Sequence, residues 1–327
     1  MIDWVQFPAR ASRQNQKREI KIHMENQTQN QQESRNYFGN WYQKHYKHLL
    51  ILPAILLIIS MIYLAQFTAK NGDIIYKDIS LTGGTTITVF DKTTDIDELK
   101  QFLITQFPDL SIRRIDDIRT GEQKAFLLES KSGAETLRQA LESKLGYELT
   151  NDNSSIEFSG ESLSTGFYKQ LRTALIIAFI LMAIVVFIIF KTAIPSGAVI
   201  LSAFADIVMT LAVINFLGFQ LSTAGIIALL MLIGYSVDTD ILLTARLLKS
   251  TEGTLSQRLH GAFKTGMTMT LTAIAAIAVG LFIISPISEV LKQMFTIILI
   301  GLVFDIFNTW VTNASILKWY MEVKHKQ

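Results

Sequence analysis

The chain has no cysteine, which excludes disulfide staples and thiolate metal sites. Its five histidines are scattered and offer no metal-ligand spacing. No GxxxxGK[ST] run occurs, so the sequence carries no Walker-type nucleotide loop. No nucleophile stands with a recognisable base and orienting partner. Neither an enzyme nor a cofactor is expected. Charge is scarce as well: Asp, Glu, Lys and Arg make up 18% of 327 residues, while half are hydrophobic. A soluble domain of this composition would have trouble keeping its surface wet. The net charge of +2 leaves no electrostatic footprint for nucleic acid.

What the sequence has in abundance is long apolar runs. Six stand out, at Leu49–Phe67, Leu171–Phe190, Ile194–Phe216, Leu221–Leu243, Met267–Ser285 and Leu291–Leu317. Each approaches the roughly 20 residues that cross about 30 Å of hydrocarbon as a helix. They divide the chain into a polar extension (1–48), a first transmembrane helix (49–67), a polar domain (68–165), a five-helix membrane bundle (166–320) and a short tail (321–327). Residues 24–36, MENQTQNQQESRN, are too polar to fold around a core. The first apolar run begins too late for a signal peptide. A cytoplasmic, disordered extension is expected over 11–36.

Between the first two runs the pattern alternates strand and helix signals. Ile79–Phe90 is β-branched and reads as a strand, and Asp95–Phe107 has apolar residues at helical spacing. Leu110–Arg119 and Lys124–Ser130 read as paired strands around Thr120-Gly121. A helix at Gly133–Leu145 and a strand near Tyr147–Phe158 complete β-α-β-β-α-β. That order predicts a ferredoxin-like α+β sandwich, joined to a membrane α-helical body.

Short loops set the orientation. Lys44 and Lys47 precede the first run, and Lys191 separates the second and third. Arg246, Lys249, Arg258 and Lys264 surround the loop after the fourth, and Lys318, Lys324 and Lys326 follow the sixth. The opposite loops, 217–220 and 286–288, lack Lys and Arg. Both termini are therefore expected in the cytoplasm and residues 68–165 outside, with the lipid bilayer between them. The 17 acidic and 11 basic residues of that domain have little say, because large domains translocate regardless of charge. Trp41, Tyr42, Tyr46, Trp319 and Tyr320 suit the headgroup level.

Ionisable side chains inside a bilayer are functional candidates by default. Asp206 lies mid-run between Ser202 and Thr210, four residues away on each side and so on one helix face. Asp305 is followed at +3, +4 and +7 by Asn308, Thr309 and Thr312. The fourth run ends in GYSVDTDILLTARLLK, where Asp238 and Asp240 point about 160° apart at 100° per residue. Asp238 is the deeper of the two and is expected to be the principal acid. Asp206 and Asp305 also suit plain interhelical hydrogen bonds, Asp240 an interfacial position, and Arg246 a snorkelling role at the helix end. Thr265, Thr268, Thr272, Ala275, Ala276 and Gly280 form a small-residue surface on the fifth run.

That segment, the preceding AFADIVMTLAVINFLGFQLSTAGIIALLMLIGYS and the ISLTGGT of the outer domain resemble the SecF family, especially its archaeal branch. The resemblance spans about 37–320. It implies an RND-type fold in the cell membrane, in which SecF supplies six helices and SecD another six about a pseudo-twofold axis. It also implies use of the proton gradient to assist export of a translocating polypeptide through the Sec translocon. By the same resemblance Arg246 matches a membrane-embedded arginine, and Asp206 matches an aspartate of the third helix. Thr239 stands where the bacterial pattern has its key carboxylate, and Asp238 stands where SecD carries its own. Leu81, Thr82, Gly83, Gly84 and Thr85 match a family motif. The alternatives are an assembly subunit without ion transport, or half of a small-molecule RND transporter. Such a transporter would carry a much larger outer region.

Overall fold

A computed structural model describes residues 45–46, 48–117, 120–250, 254–285 and 288–324. Most of the expected extension, with Trp41, Tyr42, Lys44 and Lys47, lies outside the described residues, as do Arg119 and Lys326. Residues 45–46 and 48–49 are helical.

Helix α1 (Ile51–Asn71) is long enough to cross a bilayer. The chain then turns through a short helix α2 (Ile79–Thr82), whose N-cap is Asp78, into strand β1 (Gly84–Val89). Helix α3 (Ile96–Ile104), strands β2 (Ser111–Asp116) and β3 (Gln123–Ser130), helix α4 (Ala134–Leu145) and strand β4 (Ser154–Ser159) follow. The sheet is antiparallel with order β2-β3-β1-β4, the ferredoxin-like order expected. Ile87 and Val89 of β1, Phe126 and Leu128 of β3, Leu99 and Leu103 of α3, and Leu137 and Leu141 of α4 build its core. The other sheet face, with Thr86, Leu127 and Glu129, lines a cleft of about 680 Å³ against the 217–224 segment and Gln293.

Two expected boundaries move. Ile79–Thr82 is helical, because the Asp78 carboxylate accepts from Ser80 N at 3.3 Å and starts a turn. The last strand begins at Ser154, because Gly146 ends α4 in the left-handed region. Asn153 then holds the intervening loop by accepting from Thr150 N at 2.7 Å.

Five further helices complete the membrane body: α5 (Glu161–Phe190), α6 (Ala193–Phe216), α7 (Thr223–Lys249), α8 (Leu255–Ile284) and α9 (Glu289–Phe307). A π-helical turn, Asn308–Asn313, carries α9 on into α10 (Ala314–Lys324). With α1, they make six spans by length and composition. The α5 and α8 helices begin about ten residues before their apolar runs. A Thr254–Gln257 capping box starts α8 in a polar turn. The central spans α6 and α7 are the most enclosed, and α8 the least. Val208, Leu211, Leu229, Leu232, Ile298 and Leu302 pack α6, α7 and α9 together.

The 73–84 segment is fastened to the membrane body. Asn215 donates to Ile74 O at 2.7 Å, and Tyr168 donates to Asp73 at 2.8 Å. Leu221 N donates to Tyr76 O at 2.6 Å, and Asp78 N donates to Leu221 O at 3.0 Å. Ser222 and Gln220 are both hydrogen-bonded to Gln293 at the start of α9. The LTGGT motif sits at this joint. Gly83 has φ +88 and ψ 152, a region that is essentially glycine-only. A Cβ on Gly83 would lie 2.3 Å from Glu161 Cα, and one on Gly84 2.5 Å from Ser130 O. Leu81 is fully buried, and Thr85 donates to Ser132 O at 2.6 Å. The motif is a close-packed corner between α2, β1 and α5.

Candidate functional site

Three carboxylates meet among α6, α7 and the α9–π turn. Asp206, Asp240 and Asp305 each have 0% exposure, although all three lie in spans whose neighbours are mostly aliphatic. Asp206 and Asp240 are each set into a stripe of small hydroxyl residues. On α6 the stripe is Ser202–Asp206–Thr210, and on α7 it is Ser236–Asp240–Thr244, all buried. The four-residue step places each hydroxyl one turn above or below its acid.

The π turn supplies the donors. In a π-helix the backbone bond runs from i+5 to i, and Ala314 N indeed donates to Thr309 O. Its sequence, NTWVTN, is poor in strong helix formers. The widened turn brings Asn308, Thr309, Thr312 and Asn313 all to buried positions. Asn308 Nδ2 donates to Asp206 Oδ1 at 2.7 Å, and Ser236 Oγ meets Asp206 Oδ2 at 2.5 Å. Asn313 Nδ2 donates to Asp240 Oδ1 at 2.8 Å. Thr309 Oγ1 lies 2.8 Å from Asp240 Oδ1 and 3.2 Å from Asp305 Oδ1. Thr312 Oγ1 is 3.4 Å from Asn308 Oδ1. Ser202 faces Asp240 and Ser236 faces Asp305, but Asp240 Oδ2 and Asp305 Oδ2 close no hydrogen bond. Among the described residues no cation pairs with any of the three.

Asp238 is elsewhere. Expected to be the principal acid of its helix, it is exposed in this chain while Asp240 is buried. The 160° between them puts one inside the bundle and the other outside. Asp238 shares an exposed stripe with Ile227, Met231 and Gly234. Arg246 is half-buried, with Nη1 3.3 Å from where a Cβ on Gly261 would be. No hydrogen bond or ion pair joins it to the carboxylates among the described residues. Thr239 packs where α7, α8 and the π turn meet: a Cβ on Gly266 would come within 2.4 Å of Trp310 and 3.3 Å of Thr239 Cγ2. Thr268 and Thr272 are exposed and hydrogen-bond their own helix. Within this chain α8 is packed through Gly266, Thr270 and Gly280 instead. Ser236 and Asn313, absent from the sequence candidates, belong to the network. The repeated hydroxyl–acid–hydroxyl spacing on α6 and α7 is the signal that identifies Ser236 and favours Asp240.

Residues 141–323 match a family described as protein export membrane protein SecD/SecF, C-terminal. A protein-export membrane protein SecF of Methanolacinia petrolearia is 38% identical over 278 residues, 84% of this chain and 94% of that one. The SecF of Methanocaldococcus jannaschii is 37% identical over 284 residues, 85% and 96% of the two chains. Among solved structures, SecDF of Thermus thermophilus, described as a translocon-associated membrane protein, superposes with a TM-score of 0.67 at 19% identity. At that identity the likeness is one of fold; it covers 86% of this chain and 38% of the SecDF chain. With relatives this similar along nearly their whole length, and six apolar spans around a small antiparallel sheet, the chain belongs to the SecF family of protein-export membrane proteins.

Proposed function

We propose that this export subunit couples the proton gradient to protein translocation, with Asp206, Asp240 and Asp305 as its titrating core. The observation that carries this reading is the fully buried three-carboxylate network, whose hydrogen bonds come only from hydroxyls and amides on three different helical segments. A carboxylate at mid-membrane costs about 2.5–3.5 kcal/mol by insertion scales. A proton crossing 100 mV releases about 2.3 kcal/mol. The two are comparable, so one protonation event is enough to change which hydrogen bonds the network keeps. Because the partners sit on α6, α7 and the π turn, each protonation state favours its own packing of those helices.

The movement has a route outward. The α6–α7 connection and the start of α9 are hydrogen-bonded to each other, and the 73–84 segment is hydrogen-bonded to the connection. Shifts of these helices therefore reach the sheet, which in the proposed orientation lies on the far side of the membrane from both termini. There it would hold and release a translocating polypeptide emerging from the Sec translocon. Arg246, six residues after Asp240 and about 9 Å further along the axis, is assigned to the cytoplasmic mouth of the path. The exposed stripe with Asp238 would face a SecD-like subunit, since an isolated carboxylate against lipid is costly. Asp238 would act there, at the partner interface.

The test is Asp240→Asn, scored by secretion of a signal-bearing reporter and by the amount of chain assembled in the membrane. Secretion is expected to fall about tenfold with assembly unchanged, equivalent to a rise of roughly 1.4 kcal/mol in the rate-limiting barrier. Normal secretion would leave the network a structural element and favour an assembly role.

A further inference from the structure

We infer that Thr309 is the proton relay between Asp305 and Asp240, an inference that rests on the coupling role proposed above. The argument is a count of hydrogens. The Thr309 hydroxyl has a single hydrogen, yet its oxygen lies 2.8 Å from Asp240 Oδ1 and 3.2 Å from Asp305 Oδ1. Both contacts are hydrogen bonds only when one of the two carboxyls supplies the second hydrogen. Asp240 Oδ1 already accepts from the Asn313 amide at 2.8 Å. Two donors converging on one oxygen suit an ionised carboxylate better than a protonated one, so Asp240 is assigned as the acceptor of the Thr309 hydroxyl and Asp305 as the donor. The resting arrangement is a neutral Asp305 hydrogen-bonded through Thr309 to an ionised Asp240.

Transfer then needs no other group. The carboxyl O–H of Asp305 breaks as its proton bonds to Thr309 Oγ1, while the original hydroxyl proton of Thr309 passes to Asp240 Oδ1. One proton has moved from Asp305 to Asp240, the negative charge has moved the opposite way, and the threonine hydroxyl is intact with its direction reversed. Protonated Asp240 is a weaker acceptor for Asn313, so the same step loosens the π turn from α7. Asp206, on α6, is hydrogen-bonded separately by Ser236 and Asn308 and is the third carboxyl facing the relay. The π turn supplies the geometry: Thr309 is four residues from both Asp305 and Asn313, and all three are fully buried.

The experiment uses inverted membrane vesicles carrying the full chain with its native partners, and follows proton flux with a pH-sensitive dye during export of a reporter protein. Vesicles lacking the chain give the background. Thr309→Val keeps the shape and removes the hydroxyl. It is expected to cut the chain-dependent flux by roughly a hundredfold, the lower end of what a positioned proton-transfer group contributes. Thr309→Ser restores the hydroxyl and is expected to recover flux. If valine prevents assembly, Thr309→Ala is read in the same way. Parental flux in an assembled valine or alanine variant overturns the relay, as does failure of an assembled serine variant to recover it. Asp240→Asn and Asp305→Asn run alongside. If these stop the flux and Thr309→Val does not, the relay alone fails. If none of them alters flux, the coupling role fails with it.

Discussion

Gly83→Ala is expected to unseat the outer domain from the membrane body. The backbone at this position, φ +88 and ψ 152, costs a residue with a side chain about 1–3 kcal/mol. The added Cβ would also lie 2.3 Å from Glu161 Cα and 2.6 Å from Glu161 N, where carbon atoms at rest stay about 3.5–4 Å apart. These are backbone atoms at the first turn of α5, so no side chain can swing aside. Overpacking of this kind adds about 1–3 kcal/mol, for a total of about 2–6 kcal/mol. Gly146 is the control, because its φ is +78 but nothing lies within 4 Å of its Cβ position. Gly146→Ala carries only the left-handed penalty, about 1–2 kcal/mol. Thermal unfolding of the purified chain in detergent, with hydrogen exchange at the amides of 73–84, measures both effects. Gly83→Ala should melt well below Gly146→Ala and expose Asp78 N and Leu81 N. Equal melting of the two variants would refute the close-packed corner.

Other parts of the structure give further expectations. Burial raises the Glu129 carboxyl above its ordinary 4.5, Arg113 opposes the shift and Asp78 reinforces it; with the folded value raised, the associated stability is present below pH 4.5 and declines as pH rises through the higher value. Melting of the parent should thus weaken upward from pH 4.5, and Glu129→Gln should flatten that dependence; an unchanged profile would remove Glu129 from the joint. Asn215→Leu leaves the Ile74 carbonyl without its 2.7 Å donor and should lower stability by about 1–3 kcal/mol, measured by denaturation in detergent. Because the chain has no cysteine, single cysteines report topology cleanly: Asn151→Cys should react with an impermeant maleimide added to intact cells and Thr254→Cys only after lysis, and the reverse pattern would invert the orientation.

Much of this architecture is visible in the residues. Six apolar runs announce six spans, since few other structures tolerate so many aliphatic residues in sequence, and alternating strand and helix signals give the sandwich order. Boundaries are less visible where polar turns extend a helix beyond the hydrocarbon, as at Glu161 and Leu255. The strand start at Gly84 is hidden by β-branched residues at Ile79 and Thr82, which the Asp78 cap turns into a helix. For the site, helical spacing places Asp238 and Asp240 on opposite faces, but depth alone does not say which face is enclosed. The hydroxyls four residues either side of Asp240 do say so, because they repeat the pattern about Asp206. The π turn leaves no mark beyond weak helix formers, since it is stabilised by hydrogen bonds to acids more than sixty residues away in sequence. Hence Asn313 is found only in three dimensions.

The central claim is that proton binding at the buried carboxyls drives export, and export rate measured against an imposed pH gradient tests it most directly. In vesicles with the parent chain the rate should climb with the gradient. With Asp206, Asp240 and Asp305 all changed to Asn, in a chain that still assembles, it should not respond. A triple variant that follows the gradient as the parent does would contradict the account.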